Sequence, residues 1–168
     1  MVSAVYDRSF PHTLRVTVVP ERPAAVLRSG ASSWLVSIRG RVMGRLAPRA
    51  DPSLPRVWVP AHTALLVGST LGSAKTRVAV RAAGLAGALA PRIATATYSG
   101  GQLVFHLRSG LQVVLGAPSD MRLKVAVAQQ ALTFVPSGST YLDVSVPGRA
   151  VSGTGSPVLE APQGSSRG

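Results

Sequence analysis

The sequence has no cysteine, few acidic residues, few aromatic residues and no long apolar run. The absence of cysteine among 168 residues excludes disulfide bonds and thiolate metal sites without settling the cellular compartment. The longest apolar segments, such as TALLVG, are far shorter than the ~20 residues that a membrane-spanning helix needs. The N-terminus MVSAVYDRSF lacks the basic start and apolar core of a signal peptide. We therefore expect any export signal or membrane anchor to lie outside this sequence.

Acidic residues are scarce: six Asp and Glu stand against 18 Lys and Arg, which gives a formal net charge of +12. The arginines are dispersed, and the closest cluster is Arg39, Arg41, Arg45 and Arg49. Such a charge attracts polyanions: nucleic acid, anionic lipid or an anionic wall polymer. We favour the alternative of a solvated basic surface that reflects compositional bias. With 3 Phe, 3 Tyr and 2 Trp, the chain has no interleaved basic and aromatic residues of the kind that stack on bases.

No residue pattern indicates catalysis or cofactor binding. The segment GSTLGSAKT at 68–76 resembles a phosphate-binding loop, but two residues separate its second glycine from Lys75, so the spacing fails. His12, His62 and His106 lie in three different segments without a partner at metal-ligand spacing, and the carboxylates are equally dispersed. We expect no enzymatic activity, no cofactor, no metal and no small-molecule substrate, which leaves a binding or scaffolding module.

The N-terminal third reads as β-structure. Residues 3–19 predict two strands around the turn at residues 10–12, and the prolines of a Pro-Glu-Arg-Pro corner at residues 20–23 end the second strand. Ser-Gly and Arg-Gly turns then separate the short apolar stretches of a meander, at residues 24–28, 34–38 and 41–46.

The rest of the chain alternates helices with strands. An alanine-rich helix is predicted over residues 74–89, ended by Pro91. Strands ending at Ser99, Arg108 and Gly116 follow, joined by glycine turns. A second helix is predicted over residues 119–134.

The second helix is predicted to begin with Ser119 as its N-cap. Its spacing indicates an inner face of Leu123, Val127, Ala131 and Phe134, with Arg122, Lys124, Gln129 and Gln130 outside. A last strand is predicted at residues 141–147, and residues 152–168 are predicted to be a flexible tail. The expected fold class is therefore α+β: one mostly antiparallel sheet from residues 24 to 147 with two helices packed on it.

From Ser3 to Val151 the sequence resembles the FtsQ/DivIB family of bacterial cell division proteins. The segments that carry the resemblance occur in the family's order: SAVYDRSFPHTLRVTVVPERPAAVLR, WLVSIRGRVMGRL, LPRVWVP, GLQVVLG, the helix that contains Lys124, and YLDVSVPGRAV. The resemblance implies that residues 1–23 are the end of a POTRA domain, here a two-stranded remnant. Residues 24–151 would be the family's β domain.

The resemblance also implies a function: a non-enzymatic divisome scaffold at the extracytoplasmic face of the cell membrane that helps control septal peptidoglycan synthesis. The partners would be FtsB/DivIC-type and FtsL-type proteins, captured largely by strand addition at the last strand. That strand contains no lysine and no internal proline, so an open edge is expected there. The alternative is an edge strand covered by the chain's own tail. The partner-binding residues expected on this basis are Tyr141, Leu142, Asp143, Val144, Ser145, Val146 and Pro147. A membrane helix is expected in the full-length protein but is absent from this sequence.

Two other interpretations remain. One is a basic adaptor that binds nucleic acid or another polyanion, suggested by the charge alone, although no sequence-specific nucleic acid is expected. The other is an extracellular β-rich domain with an unknown ligand. Neither accounts for both the Pro-Glu-Arg-Pro corner and the closing strand.

Overall fold

A computed structural model describes residues 3–9, 13–47, 50 and 53–155. Within these residues it contains eleven strands, two α-helices and one 3-10 helix. The strands and helices are β1 Ser3–Ser9, β2 Thr13–Val19, β3 Pro23–Ser29, β4 Ser32–Ser37, β5 Val42–Arg45, β6 Arg56–Val59, α1 Ala74–Leu85, the 3-10 helix Gly87–Arg92, β7 Ile93–Ser99, β8 Gln102–Leu107, β9 Gln112–Gly116, α2 Met121–Ala131, β10 Tyr141–Asp143 and β11 Val151–Gly153.

The fold is α+β, as the sequence predicts. Nine strands form one sheet in the order β11-β10-β9-β8-β7-β6-β3-β4-β5. Five neighbouring pairs are antiparallel, while β10 with β9, β3 with β6 and β6 with β7 are parallel. The sequence predicts a mostly antiparallel sheet correctly but gives no indication of these parallel neighbours.

The core lies between one face of the sheet and the two helices. Alternation in β8 shows how the strands supply it: Leu103, Phe105 and Leu107 are buried, whereas Val104 and His106 between them are half-buried on the opposite face. Phe105 is fully buried and belongs to the core cluster together with residues of both helices. Each such side chain contributes about 1.5–3 kcal/mol of hydrophobic stabilisation.

Helix α1 is shorter than the predicted span of residues 74–89. It starts after Ser73, whose Oγ accepts a hydrogen bond from the Thr76 amide at 3.3 Å, as an N-cap hydroxyl does. It ends at Leu85 because Gly87, with φ of 54°, adopts the left-handed conformation that terminates helices. A 3-10 helix that contains Pro91 continues the chain.

Gly84 in α1 allows the helix to approach the sheet closely. A Cβ at this position would lie 2.7 Å from Ile38 Cγ1 and 3.0 Å from Ala24 Cβ. The glycine that weakens the helix in isolation therefore has a packing role.

The predicted inner face of α2 is wrong in part: Val127 and Ala131 pack against the core, whereas Leu123 and Phe134 do not. Leu123 is 55% exposed, and Phe134, which lies beyond the end of the helix, is 78% exposed. The buried residues are Met121, Lys124, Val125 and Ala128.

The error arises because the sequence pattern places Lys124 on the outer face of the helix, whereas it is buried. Its aliphatic stem is buried with the core side of the helix, and its Nζ donates a hydrogen bond to the Ala117 carbonyl at 2.8 Å. The predicted cap is also wrong, since the helix follows Asp120 rather than Ser119. Asp120 has φ of 51° and makes no side-chain capping bond.

The strands β1 and β2 form a separate two-stranded antiparallel sheet, with Ser3 opposite Val19 and Ser9 opposite Thr13. Both predicted strands are thereby confirmed, while the turn at residues 10–12 falls outside the described residues. The assignment of this ribbon to a POTRA domain stays a prediction, as does the domain boundary at residue 23.

At the other end, the predicted tail begins too early. Strand β11 places residues 152 and 153 in the main sheet. Most of the remaining tail, residues 156–168, falls outside the described residues.

Candidate binding site

The predicted partner-binding segment, residues 141–147, is only partly a strand. Tyr141–Asp143 forms β10, and the strand ends there because the Asp143 carboxylate accepts a hydrogen bond from the Ser145 amide at 2.8 Å. This side-chain bond is typical of an Asx turn. The Arg149 amide then donates to the Val146 carbonyl at 2.9 Å, within the connection from β10 to β11 at residues 144–150.

The expectation that β10 is an open edge is wrong. It pairs with β9 on one side in parallel and with β11 on the other side in antiparallel fashion. A partner strand therefore cannot pair with β10 while β11 is in place. Side-chain contacts of residues 141–147 with a partner stay a prediction.

Hydrogen bonds to β9 define the backbone orientation of β10. The Gln112 amide donates to the Thr140 carbonyl at 2.9 Å, and the Val144 amide donates to the Val114 carbonyl at 2.9 Å. Because successive residues of a strand direct their backbone groups to opposite sides, the even-numbered residues of β10 bond to β9. The odd-numbered residues consequently face β11.

The same alternation identifies the outward groups of β11. Tyr141 and Asp143 face β11, where they are paired with Gly153 and Val151. Ser152 lies between these two residues, so its amide and carbonyl point away from β10, toward the outer edge of the sheet. This edge is the position at which a tenth strand would add to the nine-stranded sheet.

Strand β11 is held by features that sequence reasoning missed. A Cβ on Gly153 would lie 2.8 Å from the Tyr141 hydroxyl, so the tyrosine ring covers this glycine across the strand pair. Aromatic cover of an edge glycine helps to fix strand register. The Thr140 Oγ1 also donates to the Gly155 carbonyl at 2.6 Å, which continues the attachment beyond β11.

Among the described residues, β11 is the terminal strand of the sheet and exposed apolar side chains lie beside it. Val151 is 44% exposed and Val146 is 60% exposed. Neither lysine nor proline lies within β11 to prevent another strand from pairing. At the opposite end of the sheet, by contrast, Val42 of β5 exchanges hydrogen bonds with Gly68 and Ser69 at 2.8 and 2.9 Å. A loop of the same chain therefore shields the start of that edge.

The histidines, carboxylates and glycine-rich segment singled out from the sequence do not form a site among the described residues. In the described part of the chain no group of three His, Cys, Asp or Glu residues is arranged to hold a metal. The 68–76 segment contributes the N-cap of α1. The Arg77 side chain occupies the loop of this segment, where its Nη1 donates to the Leu71 and Gly72 carbonyls at 2.6 and 2.8 Å. His12 lies outside the described residues.

The arginine cluster is used at least partly for packing. The Arg45 guanidinium lies 5.9 Å from the centroid of the Trp34 ring and donates to Ser32 Oγ at 3.0 Å. Arg49 falls outside the described residues.

A comparison of the sequence with models of protein families found no match, and neither did a comparison with curated proteins. The resemblance to FtsQ/DivIB proteins therefore rests on the segments of this sequence alone. None of the helices that the structure describes is long and apolar enough to cross a bilayer.

Proposed function

We propose that this chain is a non-enzymatic divisome scaffold of the FtsQ/DivIB type, which captures an extended segment of an FtsB/DivIC-type partner. The observation that carries the proposal is the outer edge of β11, where the Ser152 amide and carbonyl point away from the sheet. Partner capture by strand addition needs backbone groups that point outward from a sheet edge, and within the described residues β11 is the terminal strand of the sheet. The site proposed here is displaced by one strand from the one the sequence indicates.

Main-chain hydrogen bonds would supply affinity, and the exposed Val146 and Val151 side chains would supply an apolar contact beside the strand. Each hydrogen bond contributes a net ~0.5–1.5 kcal/mol. Because β11 is only three residues long, strand pairing alone makes a weak complex. We therefore expect a second contact with the partner outside the edge.

The location and wider role follow from the resemblance. The domain would act at the extracytoplasmic face of the cell membrane, with FtsL-type proteins in the same assembly. Its role would be to help control septal peptidoglycan synthesis without catalysing a reaction itself.

A proline substitution tests the edge directly. Ser152→Pro removes the outward amide and leaves the Val151 and Gly153 pairs with β10 intact, whereas Ser152→Ala retains the amide and is the matched control. We expect Ser152→Pro to weaken binding of the extracytoplasmic segment of the FtsB-type protein from the same organism, measured by calorimetry. Equal binding by the two variants would contradict strand addition at this edge.

A truncation distinguishes addition from exchange. If the partner adds to β11, a chain ending at Gly148 loses binding. If the partner instead displaces β11 and pairs with β10, the same truncation increases the affinity. The second result would restore residues 141–143 as the partner-binding strand.

A further inference from the structure

A row of polar side chains crosses the sheet on the face opposite the helices. Each member of the row is paired with the next across neighbouring strands. The row consists of Arg56 on β6, Thr95 on β7, His106 on β8, Gln112 on β9 and Tyr141 on β10. All five side chains are half-buried. With strands about 4.8 Å apart, the row is roughly 19 Å long.

The alternation of β6 shows that this face is separate from the core. Val57 and Val59 are buried in the core cluster with the helices, so Arg56 and Trp58 project from the other side. Trp58 is 57% exposed. An exposed indole on a sheet face is unusual, since Trp is highly buried on average.

Two guanidinium groups lie at the Trp58 end of the row. Arg28 pairs with Trp58 across β3 and β6, and its guanidinium carbon lies 5.5 Å from the centroid of the indole ring. Its Nη1 donates to Ser33 Oγ at 2.7 Å. Arg56 lies two residues before Trp58 on the same face. Two basic side chains therefore lie at one end of the row.

We propose that this row binds a carboxylate-bearing polysaccharide laid across the strands. The apolar face of a sugar ring would stack on Trp58, and a sugar carboxylate would contact the guanidinium groups, which match carboxylate geometry. Thr95, His106 and Gln112 would donate and accept hydrogen bonds with the hydroxyls of the following sugars. Tyr141 provides an aromatic surface at the far end.

The distribution of charge favours a polysaccharide over single-stranded nucleic acid. A nucleic acid carries a phosphate at every nucleotide and is bound along a groove that is positive throughout. Here the row from Thr95 to Tyr141 carries no Lys or Arg, and the guanidinium groups of Arg28 and Arg56 lie together at its other end. This arrangement fits a ligand whose acidic groups are widely spaced. Of the row, Tyr141 alone is paired with β11, where its ring covers Gly153, and the residues from Arg56 to Gln112 lie on strands away from that edge.

The two tryptophans allow a direct test on the full chain. Trp58 lies on the proposed binding face, whereas Trp34 lies on the other face of the sheet, opposite Leu27 in the register of β3 and β4. In ¹H–¹⁵N spectra each indole gives one resonance, and Trp58→Phe assigns them. Titration with a hyaluronan octasaccharide should shift the Trp58 indole and leave that of Trp34 unchanged. An unchanged Trp58 indole at saturating ligand overturns the proposal.

Charge variants distinguish specific binding at this row from non-specific electrostatic attraction to a basic protein. Arg56→Ala should weaken hyaluronan binding about tenfold through loss of a charge-assisted contact. Arg122→Ala removes the same charge from the exposed surface of α2 and should change the affinity less than twofold. Equal losses in the two variants contradict the proposal. Should Arg56→Ala not fold, the comparison of Trp58→Ala with Trp58→Phe replaces it, since only the first removes the stacking surface.

Two further ligands distinguish the source of affinity. Uncharged chitin oligosaccharides should bind more weakly than hyaluronan of equal length, because they lack the carboxylate. Tighter binding of oligo-dT that depends equally on Trp58 and Gln112 would replace the polysaccharide with single-stranded nucleic acid as the ligand.

Discussion

The substitution Val144→Pro distinguishes the predicted open-edge strand at residues 141–147 from the observed strand β10, which is paired on both sides. If residues 141–147 were an open edge, a proline there would leave the domain folded. In the structure Val144 is fully buried and its amide donates to the Val114 carbonyl. The substitution removes this bond and leaves a buried carbonyl without its donor, which costs about 1–3 kcal/mol. The altered packing of a fully buried side chain raises the cost further.

We therefore expect Val144→Pro to lower the free energy of unfolding by about 2–4 kcal/mol. This is a large part of the ~5–15 kcal/mol that stabilises an ordinary domain. Ser152→Pro removes an amide that points away from β10, and it should cost less than about 1 kcal/mol. Urea titrations followed by far-UV circular dichroism measure both values under the same conditions.

Either of two results would refute this reasoning. If Val144→Pro is as stable as the unmodified chain, Val144 does not bond to β9 and the open-edge interpretation of residues 141–147 is correct. If Ser152→Pro is as damaging as Val144→Pro, the Ser152 amide is bonded within the sheet and β11 has the opposite orientation.

Three further predictions concern the fold. Phe105→Ala should cost about 3–5 kcal/mol in urea unfolding, whereas Val104→Ala on the opposite face of β8 should cost clearly less; similar losses would contradict the assignment of the core face. Gly116→Ala should lower the free energy of unfolding by about 2–4 kcal/mol, because φ is 65° and a Cβ would lie 2.7 Å from the Cβ of Ser145. Gly100→Ala is the control: its Cβ would have no heavy atom within 4 Å, so it should cost only about 1 kcal/mol for the left-handed backbone conformation. Amide exchange should be faster in β1 and β2 than in β8 and β9, since two strands alone are marginally stable in water, and equal protection would show that the ribbon is covered by another surface.

Local signals predict the hairpins of this fold well. The glycine turns after β7 and β8 lie where the sequence places them, and the alternation of Leu103 and Phe105 identifies the buried face of β8. These features depend on residues that are neighbours in sequence, so composition and periodicity suffice to find them.

Errors arise where distant segments decide the structure. Lys124 is buried although lysine is usually exposed, because the loop carbonyl of Ala117 accepts a hydrogen bond from its Nζ. Gly153 reads as part of a flexible tail, yet the ring of Tyr141 requires a residue without a side chain at that position. No local pattern reveals either contact. The sequence therefore places the candidate binding edge at β10, one strand away from β11, where the sheet ends among the described residues.

The parallel pairing of β6 has a consequence for the order in which the sheet assembles. The meander β3–β5 and the hairpins β7–β9 are formed by contacts that are close in sequence, so each half can form within microseconds. The four-residue strand β6 joins them, and its only register pair with β7 is Arg56 with Thr95. Because this junction requires loop closure over longer stretches of chain, we expect it to form after the two halves.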